Sequence, residues 1–322
     1  MRLVVTGATG FIGAELCACL ASQGDQVTAL VRHGSHAPRC VSREVILEEL
    51  TTSAQWCAAL AGHDAIVHLA ARTHRGEGVD SQTLSEFWQT NVELTRALAV
   101  HATAVGVGNF VFMSSSKVSG ERSPRIGPEQ WGNLSHASPP APEGPYGQSK
   151  LEAERLLGAI IAASGTAGLT ILRPPLVYGP GVGGNLLSLL RAIANGIPLP
   201  LASIVNRRSL VDRKYLLDAI LLSLKSPRVG MRTFTVTDCA LSTPALCALM
   251  AHGLKRRLRL WHCPVALLRR AGKIVGRSAQ VARLTESMVL DSRAIEDELG
   301  WRPAIDLDRA WSEIGLWYYR TH

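Results

Sequence analysis

The stretch that most constrains this chain is its beginning, "RLVVTGATGFIGAELCACLASQG" (2–24). An apolar run reaches Gly7 and turns through Gly10 and Gly13. It then continues with apolar residues at helical spacing until Gly24. A strand that passes through three glycines into a helix opens a strand–helix–strand unit, and that unit demands a parallel neighbour. The pattern recurs. "QVTALV" (26–31) reads as a strand, "SAQWCAALAG" (53–62) as a helix and "DAIVHLAA" (64–71) as a strand. "SEFWQTNVELTRALAVHATAVG" (85–106) reads as one long helix and "NFVFMSS" (109–115) as a strand. Continuously apolar strands alternating with amphipathic helices predict an α/β fold: a doubly wound parallel sheet of the Rossmann type, covered on both faces.

Residues 121–145 carry Pro, Gly, Ser and Asn and predict a long surface loop. A helix resumes at "YGQSKLEAERLLGAIIAAS" (146–164), and "LTILRPPLVYGPG" (169–181) holds a strand with a Pro/Gly break. The alternation then fails. "NLLSLLRAIANG" (185–196) reads as a helix, "RTFTVTD" (232–238) as a last strand, and the remainder as mostly helical. The division this predicts is a dinucleotide-binding domain of residues 1–178 plus 205–240. A smaller, mostly helical substrate lobe takes residues 179–204 plus 241–322.

Composition narrows the function classes. In 322 residues, 47% hydrophobic and 19% charged, there is ample core and little reason for long disorder. The seven cysteines are odd in number and form no CxxC, which predicts reduced, mostly buried thiols and a cytoplasmic protein without a metal. The N-terminus runs directly into a strand, with no signal segment. A formal charge of +8 raises nucleic acid or an anionic membrane as partners. No nucleic-acid module is visible. The dense basic stretch "KRRLRLWHCPVALLRRAGKIVGR" (255–277) reads either as an interfacial helix or as packed surface helices interrupted by Pro264.

Two motifs carry chemistry. In "TGATGFIG" the first glycine permits the turn, the second lets backbone approach a pyrophosphate, and the third lets the helix pack on the strand. A dinucleotide site usually adds an acid at the end of the second strand, but here Val31 stands there, followed by Arg32 and His33. A guanidinium suits a 2′-phosphate, so this reading favours NADP over NAD. In "YGQSK", Tyr146 and Lys150 are four residues apart on one helix face, a pair able to exchange a proton while a cofactor moves hydride.

With "VHLAA" (67–71), "TNVELT" (90–95), "FVFMSSSKVSG", "LRPPLVYGPG" and "LGWRP" (299–303), the chain resembles the extended short-chain dehydrogenase/reductases, in the nucleotide-sugar epimerase/dehydratase group. The resemblance implies Tyr146 as acid/base. It makes Lys150 the residue that grips the nicotinamide ribose and lowers the tyrosine pKa. Ser115 becomes the hydroxyl on the reacting sugar oxygen, with Ser116 as the alternative register. It implies cofactor contacts at Gly7, Gly10, Phe11, Ile12, Gly13, Arg32, Glu49, Leu50, Leu69, Ala70, Ala71, Asn91, Tyr146, Lys150 and Pro174. On the substrate it implies Ser115, Ser116, Lys117, Asn185, Leu199 and Arg208, the last as a clamp on a UDP-sugar diphosphate. Arg207 precedes it, and Arg283 aligns poorly as a second clamp.

Dehydratases of this group carry an Asp-Glu pair where this chain has Ser116 and Lys117, so elimination of water is not expected. Lys117 itself reads as a phosphate or acyl contact or as a solvated lysine. The first expectation is 4-keto reduction of a UDP-2-acetamido-deoxy sugar in surface-polysaccharide biosynthesis. The alternative is a UDP-GlcNAc/UDP-glucose 4-epimerase using the same triad, and the third reading is a non-catalytic NAD(P)-sensing protein on this fold. The resemblance further implies a homodimer paired through the helices of 85–106 and 146–164.

Overall fold

The computed structural model describes residues 1–73 and 81–322. Its strands are β1 (Arg2–Thr6), β2 (Gln26–Val31), β3 (Arg43–Ile46), β4 (Ala65–His68), β5 (Asn109–Met113), β6 (Arg125–Gly127), β7 (Gln130–Trp131), β8 (Gly168–Arg173), β9 (Leu176–Tyr178), β10 (Arg208–Asp212), β11 (Gly230–Thr235) and β12 (Cys239–Leu241). Seven of them form one sheet in the order β11-β8-β5-β4-β1-β2-β3, with every pairing parallel. The order reverses beside β1, and a crevice for a ligand forms at the carboxyl ends of the strands there.

The core follows from alternation along each strand. Leu3, Val5, Val27, Ala29, Val67 and Val111 point to one face, under α1 (Gly13–Ser22). Val4, Leu30, Ile66, Phe110 and Phe112 point to the other, under α2 (Ser53–Leu60). Each such fully buried side chain contributes about 1.5–3 kcal/mol.

The expected single helix over 85–106 is instead two. α3 (Ser81–Trp88) meets a wide turn at Gln89–Glu93, in which the Leu94 amide donates to the Gln89 carbonyl, and α4 (Leu94–Ala104) follows. The extra residue in that turn faces Asn91 inward, fully buried. The expected loop 121–145 contains the short β6–β7 hairpin and then leads into α5 (Pro145–Ser164). β3 has no counterpart in the sequence pattern, and it ends the sheet on the far side of β2.

Beyond β9 come α6 (Gly184–Ala194), α7 (Arg213–Lys225), α8 (Thr243–Gly253), α9 (Val265–Ile274), α10 (Ser278–Thr285), α11 (Arg293–Leu299) and α12 (Leu307–Thr321). A small sheet, β12-β10-β9, replaces the regular alternation. Leu190 of α6, Met250 of α8 and Trp311 of α12 share a separate core. α7 and α11 return to the large sheet, where Ile220, Ile295 and Trp301 join its first face. The basic stretch is not one helix. Its 259–261 run hydrogen-bonds with Leu199, through Leu199 N–H to the Arg259 carbonyl and Trp261 N–H to the Leu199 carbonyl, and only Val265–Ile274 is helical.

Candidate active site

The glycine turn sits at the carboxyl end of β1, inside the crevice. Gly7 has φ +69°, and a Cβ there would stand 2.8 Å from the Ala70 nitrogen. At Gly13 a Cβ would stand 2.1 Å from the Gly7 carbonyl oxygen, so the helix packs directly on the turn. No side chain caps α1, and its Ala14 amide donates back to the Gly10 carbonyl at 3.0 Å, which closes the turn on the helix start. These features fit the pyrophosphate of a dinucleotide. Phe11 and Ile12 lie at the helix entrance, and the Arg213 guanidinium stacks 4.8 Å from the Phe11 ring centre while donating to the Pro180 carbonyl at 2.7 Å.

A hydrogen-bond chain fixes the neighbouring wall. The Ala70 amide donates to Thr6 Oγ1 at 3.1 Å, and Thr6 Oγ1 lies 2.6 Å from His68 Nδ1. His68 Nε2 lies 2.7 Å from Thr95 Oγ1, whose hydroxyl donates to the Asn91 carbonyl. Thr95 therefore accepts from His68, which assigns the proton to Nε2 and makes Thr6 the donor to Nδ1. Burial pushes His68 down to about 3, with the charge of Lys150 adding to it. The Asn91 side chain continues the chain by bonding the Arg72 backbone and donating to Ser149 Oγ at 2.9 Å, and Ser149 donates to the Tyr146 carbonyl.

Across the crevice, Ser114–Ser116 extends β5. The Ser116 amide donates to the Pro174 carbonyl at 2.9 Å. Burial pushes the Tyr146 phenol up to about 12, and the neighbouring Ser115 hydroxyl pulls it the other way. Lys150 is buried, donates to the Met113 carbonyl at 2.7 Å, and lies 4.4 Å from the Phe112 ring centre. Burial holds it down at about 7, against the raising effect of Glu154.

Glu154 escaped the sequence reading although its spacing announces it. Tyr146, Lys150 and Glu154 recur every four residues on one stripe of α5. Its carboxylate receives Ser114 Oγ at 2.5 Å and a two-pronged Arg173 at 2.6 and 2.9 Å, all buried.

Arg208, the expected diphosphate clamp, lines a cavity of about 210 Å³ together with Glu121, Arg122, Glu143, Arg283, Glu286, Ala279 and Ala282. Arg283, which the sequence reading set aside, lines the same cavity as Arg208. Burial lowers the Arg208 guanidinium, the Glu121 carboxylate opposes this, and the Arg283 charge lowers it further. Three guanidiniums and three carboxylates line the cavity; Arg122 is paired with Glu143 at 3.5 Å and Glu286 at 2.8 Å, and Arg208 and Arg283 are the two guanidiniums left to meet an anion. Buried Asn206, also missed, donates to Thr243 Oγ1 and to the Leu284 and Glu286 carbonyls, which fixes α10 under this cavity.

The other expected contacts are not in the lining of that cavity. Lys117 pairs with Glu121 at 2.7 Å, and Asn185 lies exposed in the first turn of α6, outside the lining of that cavity. Leu199 is bound to the 259–261 run, Arg207 donates to the Ala240 carbonyl, and Leu50 packs into the core beside α2. Leu69 packs against the opposite core. Ala71 follows the end of β4, and Glu49 lies in the turn after β3. At the end of β2, Arg32 is exposed. A carboxylate nevertheless reaches that place: Glu48, from the turn after β3, accepts from the His33 amide at 2.9 Å. The linear spacing missed it because it comes from the adjacent strand.

The fold and this arrangement define a dinucleotide-dependent oxidoreductase scaffold with a Ser-Tyr-Lys site. The model of the NAD dependent epimerase/dehydratase family matches residues 3–236. The chain is 34% identical over 316 residues to a UDP-glucose 4-epimerase of Vibrio cholerae, covering 97% of this chain and 93% of that one. It is 27% identical over 268 residues to the N-acetyl-alpha-D-glucosaminyl-diphospho-ditrans,octacis-undecaprenol 4-epimerase of Escherichia coli O157:H7, covering 83% and 76%. Among solved structures, MoeE5 in complex with UDP-glucuronic acid and NAD superposes with a TM-score of 0.79 at 25% identity over the whole of both chains. The chain belongs to the NAD dependent epimerase/dehydratase family.

Proposed function

We propose that this chain is an NAD-dependent 4-epimerase of UDP-linked hexoses. The observation that carries the reading is the grouping of the buried Ser115 and Lys150 side chains around the Tyr146 phenol, on the wall that the Asn91–Thr95–His68–Thr6 chain ties to the glycine turn. The near full-length likeness to a UDP-glucose 4-epimerase supports epimerisation over the 4-keto reduction that the sequence put first. Glu48 beside His33 supports NAD over NADP, since a carboxylate repels a 2′-phosphate and accepts from ribose hydroxyls. The retained tyrosine and lysine speak against a sensor without catalysis.

Bound NAD supplies the acceptor, and then the donor, of hydride at C4 of the sugar. Tyr146 takes the 4-hydroxyl proton and returns it to the oxygen after the keto sugar has turned over. Ser115 donates to the phenolate in one half of the cycle and to the sugar oxygen in the other. Lys150 places a cation where the phenolate forms, and Glu154 with Arg173 holds the α5 stripe in register. Arg208 and Arg283 hold the diphosphate, so the hexose can present either face. The dimer proposed for this chain pairs through α3 and α4 together with α5, a face on which Leu84, Trp88 and Val100 are exposed.

The test incubates purified protein with UDP-glucose or UDP-GlcNAc and follows anomeric proton signals by NMR. The reading expects the galacto epimer to appear without added nicotinamide reductant. Oxidation of NADPH that requires a UDP-4-keto sugar, with no epimer formed, would return the reductase.

A further inference from the structure

The charge of this molecule is concentrated in one place. Residues 255–285 contain nine Lys and Arg and no Asp or Glu. The whole chain carries +8, so the other residues together carry 8 − 9 = −1. Eight of the nine cations, Lys255 to Arg277, are exposed. The same segment exposes large apolar side chains that a packed surface helix would cover. Ile274 is 86% exposed, Val275 63%, Leu267 54% and Trp261 49%.

On α9 these features sort by face. Val265 and Leu268 pack inward, and at Gly272 a Cβ would stand 2.6 Å from Val281 Cγ2, so α9 is seated firmly on α10. Leu267, Ala271 and Ile274, at i, i+4 and i+7, form an exposed apolar stripe. Arg270 and Lys273, at i and i+3, lie beside it, and exposed Arg277 follows just past the helix end. A nucleic acid rewards the cations but not a bare isoleucine, and an apolar partner rewards the stripe but not the cations. An anionic bilayer rewards both, because acyl chains take the apolar side chains while the headgroups take the charges.

We propose that the 255–277 surface, with α9 at its centre, docks the protein onto anionic lipid bilayers. The docked face adjoins the diphosphate cavity: Ala279, Ala282 and Arg283 of α10 line it, and Arg269 of α9 pairs with its Glu286 at 3.7 Å. Docking brings that cavity to the lipid surface. Among the described residues no helix is long and apolar enough to cross a membrane, so the association is peripheral. The proposal stands apart from the reaction assigned above, and its test needs no substrate.

The full chain is sedimented with phosphatidylcholine vesicles and with vesicles of phosphatidylcholine and phosphatidylglycerol, at low and at high salt. Binding is expected to the anionic vesicles alone and to weaken with salt. Arg270→Glu with Lys273→Glu should lower partitioning at least about 25-fold, at about five-fold per cation. Ile274→Ser should lower it severalfold at unchanged salt dependence, whereas Lys225→Glu, on an exposed end of α7, should leave it unchanged. Circular dichroism checks that each variant is folded. Absence of binding to either vesicle by the wild-type protein, equal binding to both, or a preference for duplex DNA or an acidic protein over the anionic vesicles overturns the proposal.

Discussion

The two ends of the crevice are built from different materials. At the cofactor end, backbone meets backbone: the turn at Gly7, the carbonyl packed against Gly13, and the Ala70 amide tied to Thr6. At the end proposed for the nucleotide-sugar, charges from four separate segments face one cavity, with Glu121 and Arg122, Glu143, Arg208, and Arg283 with Glu286. Backbone contact tolerates no added atom, whereas a charge network redistributes when one member is lost. Substitutions within the glycine turn should therefore abolish binding or folding, and those among the charges should grade affinity. The proposed Ser115–Tyr146–Lys150 site follows neither rule, because its side chains act on protons.

The largest effect is expected at that site. Tyr146→Phe should lower the epimerisation rate by about 10²–10⁴-fold with bound NAD retained, read by NMR rates and nucleotide content. Next, Gly13→Ala places a methyl 2.1 Å from a carbonyl oxygen, and it should cost at least about 3 kcal/mol in denaturant melts and release the dinucleotide. A comparable loss follows acidification. His68 is held neutral by burial at about 3, while the unfolded side chain titrates near its ordinary 6.5. The unfolded state binds the extra proton between those values, so stability falls as pH drops through that window. By pH 4 the loss is about 3 kcal/mol, and it is absent in His68→Gln. At the nucleotide-sugar end, Arg283→Ala should raise KM for the UDP-sugar about 10-fold with kcat little changed. Smallest, Glu48→Gln should weaken NAD a few-fold and narrow its preference over NADP in a binding titration. If Arg283→Ala instead emptied the cofactor site, or Gly13→Ala changed only KM, the contrast between the two ends would fail.

The same contrast explains what the sequence disclosed. Glycine spacing, apolar strands and Tyr146–Lys150 are local patterns, so the parallel sheet and the cofactor turn are legible in the order of residues alone. Glu154 is legible too, as the next residue of the Tyr146–Lys150 stripe, although the shorter motif draws the eye away from it. Glu48 and Arg283 are not legible in this way, because their relevance comes from positions set by other strands and helices. Arg32, which the linear spacing offers for a 2′-phosphate, lies exposed at a strand end that also receives a carboxylate. The wide turn at Gln89–Glu93 has no sequence signal, since the residues around Asn91 read as continuous helix. The basic stretch misleads for a related reason. Its pairing with Leu199 is long-range, and it breaks what periodicity alone would join.

The central claim is that hydride leaves C4 and returns to it within one cofactor-bound cycle. UDP-glucose labelled with deuterium at C4, incubated with the purified protein and unlabelled NADH in the medium, tests it directly. The account predicts UDP-galactose that keeps its deuterium at C4 while the NADH in the medium is neither consumed nor labelled. Loss of the label from C4, or turnover of the sugar only at the expense of NADH or NADPH, would contradict it.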